Sequence, residues 1–318
     1  MLRARSLVLL ILLCLVSPVA AQNGDFLEQH PRVRDAVTLF DLWTQEQMAY
    51  QQIPGLALGV VYDQELVWSK GYGVEDLETR DPVTPATLFR LGSVTKLFTA
   101  TAILQLRDQG KLQLDDPVAQ HLPWFELQST FESAPEITLR QLLTHTSGLP
   151  REAAFPYWTT HEFPTTEEIN AALRTQSAIY PPDKTYKYSN LGMALLGEVV
   201  VAVSGQTYAD YIQQHIFGPL GMTRSAVVPV EVVRQQMATA YMRRRADGKR
   251  EVMEYYETKG MAPAANIVSS VDDLARFAAL NLRATPDSGE GEVVKANTLH
   301  EMQRPDAAQP DEPIFLVT

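Results

Sequence analysis

The segment 88–96 reads LFRLGSVTK, and the inferred fold and chemistry of this chain both start from it. From Ser93 to Gln109 apolar residues recur at helical spacing, and the run stops at Gly110, which is typical of a buried helix. Positions i and i+3 lie about 5–6 Å apart on one helical face, so Lys96 is expected to reach the Ser93 hydroxyl. Burial among apolar neighbours lowers the pKa of a lysine and lets it accept a proton. By itself the segment is either a serine nucleophile beside a base or a chance spacing on a structural helix.

A second segment with chemical potential is Tyr188-Ser189-Asn190. It follows Pro181-Pro182, which favours a turn, and it precedes an apolar run, so Asn190 is expected to cap the next helix. A phenol held beside an ammonium is expected to have a lowered pKa and to exchange protons. Tyr188 is therefore a candidate acid–base residue, and Asn190 is either a binding residue or a helix cap alone.

In this order the segments resemble the serine β-lactamase and penicillin-binding protein superfamily, which carries a Ser-x-x-Lys signature. The similarity is closest to the class C β-lactamase-like branch and runs from about Ile53 to Phe277. The segments that carry it are 88–96 (LFRLGSVTK), 110–117 (GKLQLDDP), 142–149 (LLTHTSGL), 188–196 (YSNLGMALL) and 219–222 (PLGM).

The resemblance implies an acyl-enzyme mechanism. Ser93 would attack a carbonyl, Lys96 and Tyr188 would share its proton, and Asn190 would bond to the substrate amide. The Ser93 backbone N–H would form half of an oxyanion hole. The third motif of the family, Lys-Thr-Gly or His-x-Gly on a late strand, is not found at its expected place, since the segment 258–260 reads TKG and precedes the last helix.

The fold class implied by the resemblance is a β-lactamase/DD-peptidase-like α/β plus α fold, with an antiparallel sheet flanked by helices. Its α/β part would comprise residues 22–90 and 260–318, and a large helical insertion would occupy 91–259. Independently, Leu56–Tyr62 and Glu65–Gly71 predict two strands joined by a tight turn. A stable sheet needs three or more strands, so the chain is expected to be truncated, with the C-terminal strands of the sheet missing.

The first 21 residues have the parts of an export signal: Arg3 and Arg5, the apolar run Leu7–Val16, and small residues before Gln22. We expect residues 22–318 to form one secreted or periplasmic domain, although retention of the segment as a membrane anchor is the alternative. The single cysteine of the chain lies inside this segment, which excludes disulfides and thiol catalysis from the mature protein.

Composition narrows the class of protein further. The chain has 318 residues, 45% of them hydrophobic, and a formal net charge of −11, which is typical of a soluble globular protein and unfavourable for nucleic-acid binding. The six histidines are scattered, so neither a metal site nor a cofactor is expected. Of these histidines, His145 is the most suggestive, and we expect it to have a structural role in a loop.

The function predicted from these residues is that of an exported serine hydrolase acting on an ester, a β-lactam or a D-amino-acid peptide. One alternative is a peptidoglycan D,D-carboxypeptidase or endopeptidase. Another is a catalytically incomplete penicillin-binding-like protein, which the unmatched third motif favours. The expected partner is a small-molecule or peptidoglycan-like substrate.

Overall fold

The computed structural model describes residues 30–128, 131, 134–282 and 293–304. The predicted export segment 1–21 and the polar loop 285–291 lie outside the described residues, as does the tail from 305 onwards. The strands, in chain order, are β1 Gly55–Tyr62, β2 Glu65–Gly73, β3 Phe89–Arg90, β4 Ala240–Tyr241, β5 Val252–Met253 and β6 Val268–Ser269. The α-helices are α1 Pro31–Gln51, α2 Thr95–Asp108, α3 Val118–His121, α4 Leu139–Leu143, α5 Tyr157–Thr160, α6 Thr166–Leu173, α7 Asn190–Ser204, α8 Tyr208–Ile212, α9 Gly218–Leu220, α10 Glu231–Arg234, α11 Ala262–Ala265, α12 Val271–Asn281 and α13 Ala296–Met302.

Strands β1 and β2 form the predicted antiparallel hairpin. The two turn residues, Asp63 and Gln64, have positive φ values of 46° and 70°, which suit the twist of a two-residue hairpin turn. Helix α1 contacts the hairpin through an edge-on contact of Phe40 with Trp68, and α12 also packs against both strands. Among the described residues this sheet has two strands.

The pair β3 and β6 brings the chain to the nucleophile segment. These strands are antiparallel, and beyond them Leu91 N–H donates to Ile267 O at 2.9 Å. Gly92 then adopts a φ of +52°, a left-handed conformation that glycine tolerates without strain. Residues Gly92–Val94 form a 3₁₀ turn, so the regular helix begins at Thr95 and not, as expected, at Ser93.

Helices α2 and α7 lie against each other at the centre of the helical core. Phe98 of α2 is fully buried, stacked on Phe277 at 4.2 Å and edge-on to Phe217 at 5.5 Å. On α7, a Cβ built at Gly197 would lie 2.1 Å from Pro263 Cγ, so glycine alone permits the approach of α11. This close contact fixes the short helix that reaches the candidate site.

Side-chain caps fix several helix ends, and the predicted cap of α7 is wrong. Thr165 forms a capping box with Glu168, and Ser270 caps α12. Helix α7 is capped by Ser189, whose hydroxyl accepts from Gly192 N–H, because Asn190 is already the first helical residue. Thr207 caps α8, and the helical segment that begins there runs to Leu220.

That helix continues through a π turn, Gln213–Phe217, into α9. Pro219 lies at the start of α9, where a missing N–H costs least.

In the described part of the chain no single helix is long and apolar enough to cross a bilayer. Helix α7 and the segment Tyr208–Leu220 pass that test only as a pair bent by 80°.

Candidate active site

The structure brings Ser93 and Lys96 together as their spacing predicts. Lys96 lies on the first turn of α2, and its Nζ is 3.2 Å from Ser93 Oγ. Ser93 precedes the helix by two residues, so its hydroxyl lies near the positive end of the helix dipole, where developing negative charge is favoured. The serine and its candidate base are thus already in contact.

Lys96 is almost completely buried, with 7% of its surface exposed. Its Nζ donates to the backbone carbonyl of Ala264, a residue of α11, at 2.9 Å. Burial lowers the pKa of Lys96 to about 7, opposed by the negative charge of Glu152 and assisted by the positive charge of Arg151. A substantial fraction of the side chain is therefore neutral at neutral pH and able to accept a proton.

Tyr188 contacts the same serine. Its OH donates to Ser93 Oγ at 2.7 Å, and Lys96 Nζ lies 4.8 Å from the centre of its ring. The expectation that the Tyr188 pKa is lowered is wrong: burial raises it, and this outweighs the hydrogen bond to Ser93 and the charge of Arg151. Tyr188 is consequently a phenol at neutral pH.

The loop between α4 and α5 holds Tyr188 in place. Lys187 N–H donates to His145 O at 2.8 Å, and Ser189 Oγ donates to Pro150 O at 2.7 Å. The His145 ring packs 4.7 Å from the Tyr188 ring, and its Nδ1 accepts from Ser189 N–H at 3.2 Å. Burial lowers the pKa of His145 to about 4, with a further contribution from Lys96, so the ring remains a neutral acceptor.

Asn190 lies at the start of α7, and its side chain contacts another residue that the sequence analysis missed. Nδ2 donates to both carboxylate oxygens of Glu152, at 2.8 Å and 3.1 Å. The remaining amide atom, Oδ1, is buried and has no hydrogen-bond partner among the described residues. Asn190 is expected to bond to a substrate amide, and in this structure its Nδ2 donor is occupied by Glu152.

Two groups that contact the candidate site residues, the Ala264 carbonyl and the Glu152 carboxylate, were not predicted from the sequence. Ala264 contributes only its backbone carbonyl, which no side-chain pattern reveals. Glu152 follows segment 142–149 after two residues, and its position directly beyond a family-like segment was the one available signal. Its carboxylate comes next to Asn190 because Asn190 N–H donates to Arg151 O at 2.8 Å.

The arrangement can generate a nucleophile. A neutral Lys96 is able to take the Ser93 proton along the 3.2 Å contact, while Tyr188 stays protonated and hydrogen-bonded to Oγ. Three aromatic residues of the helical part differ in burial: Tyr157 is buried, Trp124 packs against the core, and Trp158 is 45% exposed. Across the described ranges, no three His, Cys, Asp or Glu side chains cluster as a metal site requires.

Comparison with known proteins decides the family. The family model described as Beta-lactamase matches residues 40–314. The chain belongs to the beta-lactamase family. The expected β-lactamase/DD-peptidase-like fold is confirmed by solved structures of this family, and beta-lactamase-family proteins of this fold are serine hydrolases.

Three relatives illustrate where the chain lies within the beta-lactamase family. Beta-lactamase-like protein 2 of Dictyostelium discoideum is 30% identical over 283 residues, which are 87% of this chain and 50% of that protein. The octameric penicillin-binding protein homologue from Pyrococcus abyssi is 32% identical, with a TM-score of 0.74 over 84% of this chain and 60% of that one. A class C beta-lactamase from Rhodobacter sphaeroides is 27% identical, with a TM-score of 0.66 over 81% and 68%. The chain spans about half the length of the curated relatives it matches.

Proposed function

We propose that this chain is a serine hydrolase that forms an acyl-enzyme at Ser93, with an ester, a β-lactam or a D-amino-acid peptide as substrate. One observation carries the proposal. Ser93 Oγ is contacted at once by Lys96 Nζ and Tyr188 OH, and burial places the Lys96 pKa at about 7. A structural serine has no need of a partly neutral lysine, whereas a nucleophile does.

In the proposed first step, Ser93 Oγ attacks the substrate carbonyl carbon and its proton passes to Lys96 Nζ. The bond from that carbon to the leaving oxygen or nitrogen then breaks, and the leaving atom receives the proton, with Tyr188 OH as the relay beside Oγ. Water subsequently attacks the acyl-enzyme, releasing the acid and returning a proton to Ser93. The overall reaction consumes one water molecule and regenerates the Ser93, Lys96 and Tyr188 side chains.

Export is part of the proposal. The charged, apolar and small-residue parts of segment 1–21 support secretion or a periplasmic location. A cell-wall D-peptide or a small ester or lactam is the kind of partner that such a location offers. A net charge of −11 disfavours nucleic acid as a partner.

Covalent labelling tests the proposal. The chain is treated with a fluorophosphonate and, separately, with a fluorescent penicillin, and the labelled residue is located by mass spectrometry. We expect a covalent adduct at Ser93 that is lost in Ser93→Ala and kept in Ser69→Ala, a serine on β2 outside the site. An adduct that survives in Ser93→Ala would contradict Ser93 as the nucleophile. Reversible penicillin binding without a covalent adduct from either probe in the parent chain would contradict the acyl-enzyme and favour a binding protein.

A further inference from the structure

Glu152 collects three side-chain donors at the edge of the site. Asn190 Nδ2 reaches both of its oxygens, Tyr157 OH donates at 2.5 Å, and Arg151 Nε donates at 3.0 Å. The Glu152 side chain is 23% exposed, whereas Tyr157 is completely buried. Because a buried phenol and a buried amide both donate to the Glu152 carboxylate, its position is held by groups that cannot move freely.

Chemistry determines which way the Asn190 amide faces. An ionised carboxylate only accepts hydrogen bonds, so the amide must present Nδ2, and not Oδ1, to Glu152. Oδ1 is then the free atom of the amide, buried and unpaired within the described structure. If Asn190 meets a substrate in this orientation, it accepts from an N–H group. A buried acceptor without a partner is costly, so the orientation needs Glu152 to maintain it.

The same carboxylate belongs to a group of charges gathered around Tyr188. Lys96 Nζ and the Arg151 guanidinium lie 4.8 Å and 5.3 Å from the centre of the Tyr188 ring, and Arg151 pairs with Glu152 at 3.0 Å. The negative charge of Glu152 favours the protonated form of Lys96, and the positive charge of Arg151 opposes it. The titratable and charged groups that face Lys96 are Ser93, His145, Arg151, Glu152 and Tyr188. Within this set Glu152 is the carboxylate, and it therefore sets how strongly burial shifts Lys96 toward its neutral form.

We propose that Glu152 is a positioning residue of this site, which fixes the Asn190 amide with Nδ2 on its carboxylate and balances the charge near Lys96. The inference rests on the proposed function, because it assigns Glu152 a role in the reactivity of Ser93. Glu152 does not touch Ser93 itself; it acts through Asn190 and Lys96.

A double-mutant cycle tests the action through Asn190. The second-order rate constant for fluorophosphonate labelling of Ser93 and kcat/KM for p-nitrophenyl acetate are measured in the parent, Glu152→Ala, Asn190→Ala and the double variant. The measurements are made above the acidic limb, where Lys96 is neutral and the charge of Glu152 no longer changes its protonation. We expect Glu152→Ala to lower both at least about tenfold and to have little further effect when Asn190 is already alanine. Equal effects in both backgrounds, or no effect in either, would overturn the inference.

Glu152→Gln provides a second readout if the alanine variant fails to fold. Glutamine keeps the shape and one acceptor for Asn190 but removes the charge, so the acidic limb of the kcat/KM profile should move to lower pH. Glu231→Gln, an exposed glutamate paired with Arg234, should leave the limb unchanged. A Glu152→Gln limb at the parent pH, with melting unchanged, would show that the charge of Glu152 does not act on Lys96 and would overturn that half of the inference.

The two proposals fail in different ways. If the parent chain is not labelled at Ser93, the proposed serine hydrolase function fails. If the parent is labelled and Glu152→Ala is labelled equally fast, only the positioning role of Glu152 fails.

Discussion

Tyr188 OH donates a 2.7 Å hydrogen bond to Ser93 Oγ, although 95 residues separate the two in sequence. The bond joins the loop before α7 to the turn before α2, and it meets Oγ beside Lys96 Nζ. Because burial raises the pKa of Tyr188, the phenol remains a donor over the neutral range. Lys96 and Tyr188 thus differ in protonation, and the base and the donor of the site can be told apart.

Replacing Tyr188 by phenylalanine should lower kcat/KM for a p-nitrophenyl ester by about 10²–10⁴, the usual contribution of acid–base catalysis. Stability should change little, because the ring and its contact with His145 are kept. Tyr72→Phe is the matched control, since it removes a phenol that bonds to Asp41 outside the site. A lower melting temperature with normal turnover would instead assign the Tyr188 hydroxyl to structure.

Lys96→Arg should reduce turnover nearly as much as Lys96→Ala, by at least about 10². A guanidinium stays protonated at any usable pH and cannot take the Ser93 proton. Lys70→Arg, which keeps a surface ion pair with Asp41, should retain parent activity. Lys96→Arg turnover within about tenfold of the parent would mean that Lys96 is needed for its charge alone.

The pH dependence of kcat/KM should show an acidic limb near pH 7. Lys96 acts as a base only when neutral, and burial places its pKa at about 7, so the rate rises with pH through this value and then levels. Arg151→Gln removes a positive charge that lowers the Lys96 pKa, so the limb should move to higher pH, and less so in high salt. Arg245→Gln, an exposed arginine paired with Glu251, is the control and should not move it. If the acidic limb stays at the parent pH in Arg151→Gln, the limb does not report the titration of Lys96.

Gly197→Ala should destabilise the fold and slow the enzyme together. The added Cβ would lie 2.1 Å from Pro263 Cγ, and overpacking of this kind costs about 1–3 kcal/mol. Displacing α11 would also move the Ala264 carbonyl that holds Lys96 Nζ. Gly192→Ala on the same helix meets only ordinary contacts, from 3.4 Å, and should leave the melting temperature equal or higher. Thermal melting measures the stability of both variants, and kcat/KM for a p-nitrophenyl ester measures their activity. A Gly197→Ala variant with an unchanged melting temperature would contradict the close approach of Pro263 to α7.

The sequence predicted local structure wherever neighbouring residues determine it. The hairpin of β1 and β2 follows from alternating strands around a two-residue turn, and the capping box of Thr165 with Glu168 follows from a spacing of three residues. The contact of Ser93 with Lys96 belongs to the same class, because one helical turn fixes their distance.

The helix boundaries that were wrong depend on a choice between adjacent residues. Ser189 and Asn190 are both good capping residues, and the sequence did not indicate which one lies outside the helix. The bond from Asn190 N–H to Arg151 O fixes the start of α7, and it comes from a distant loop. The sign of the Tyr188 pKa shift was also wrong, because burial outweighed the neighbouring charge.

By itself, the sequence determined which residues are one turn apart and which segments resemble the beta-lactamase family. Only the tertiary structure placed Tyr188 on Ser93, Ala264 on Lys96 and Glu152 on Asn190. Contacts of the first kind arise from the geometry of a single helix or turn. Those of the second kind arise from packing between distant segments, where burial and the need to pair buried polar groups decide both position and protonation.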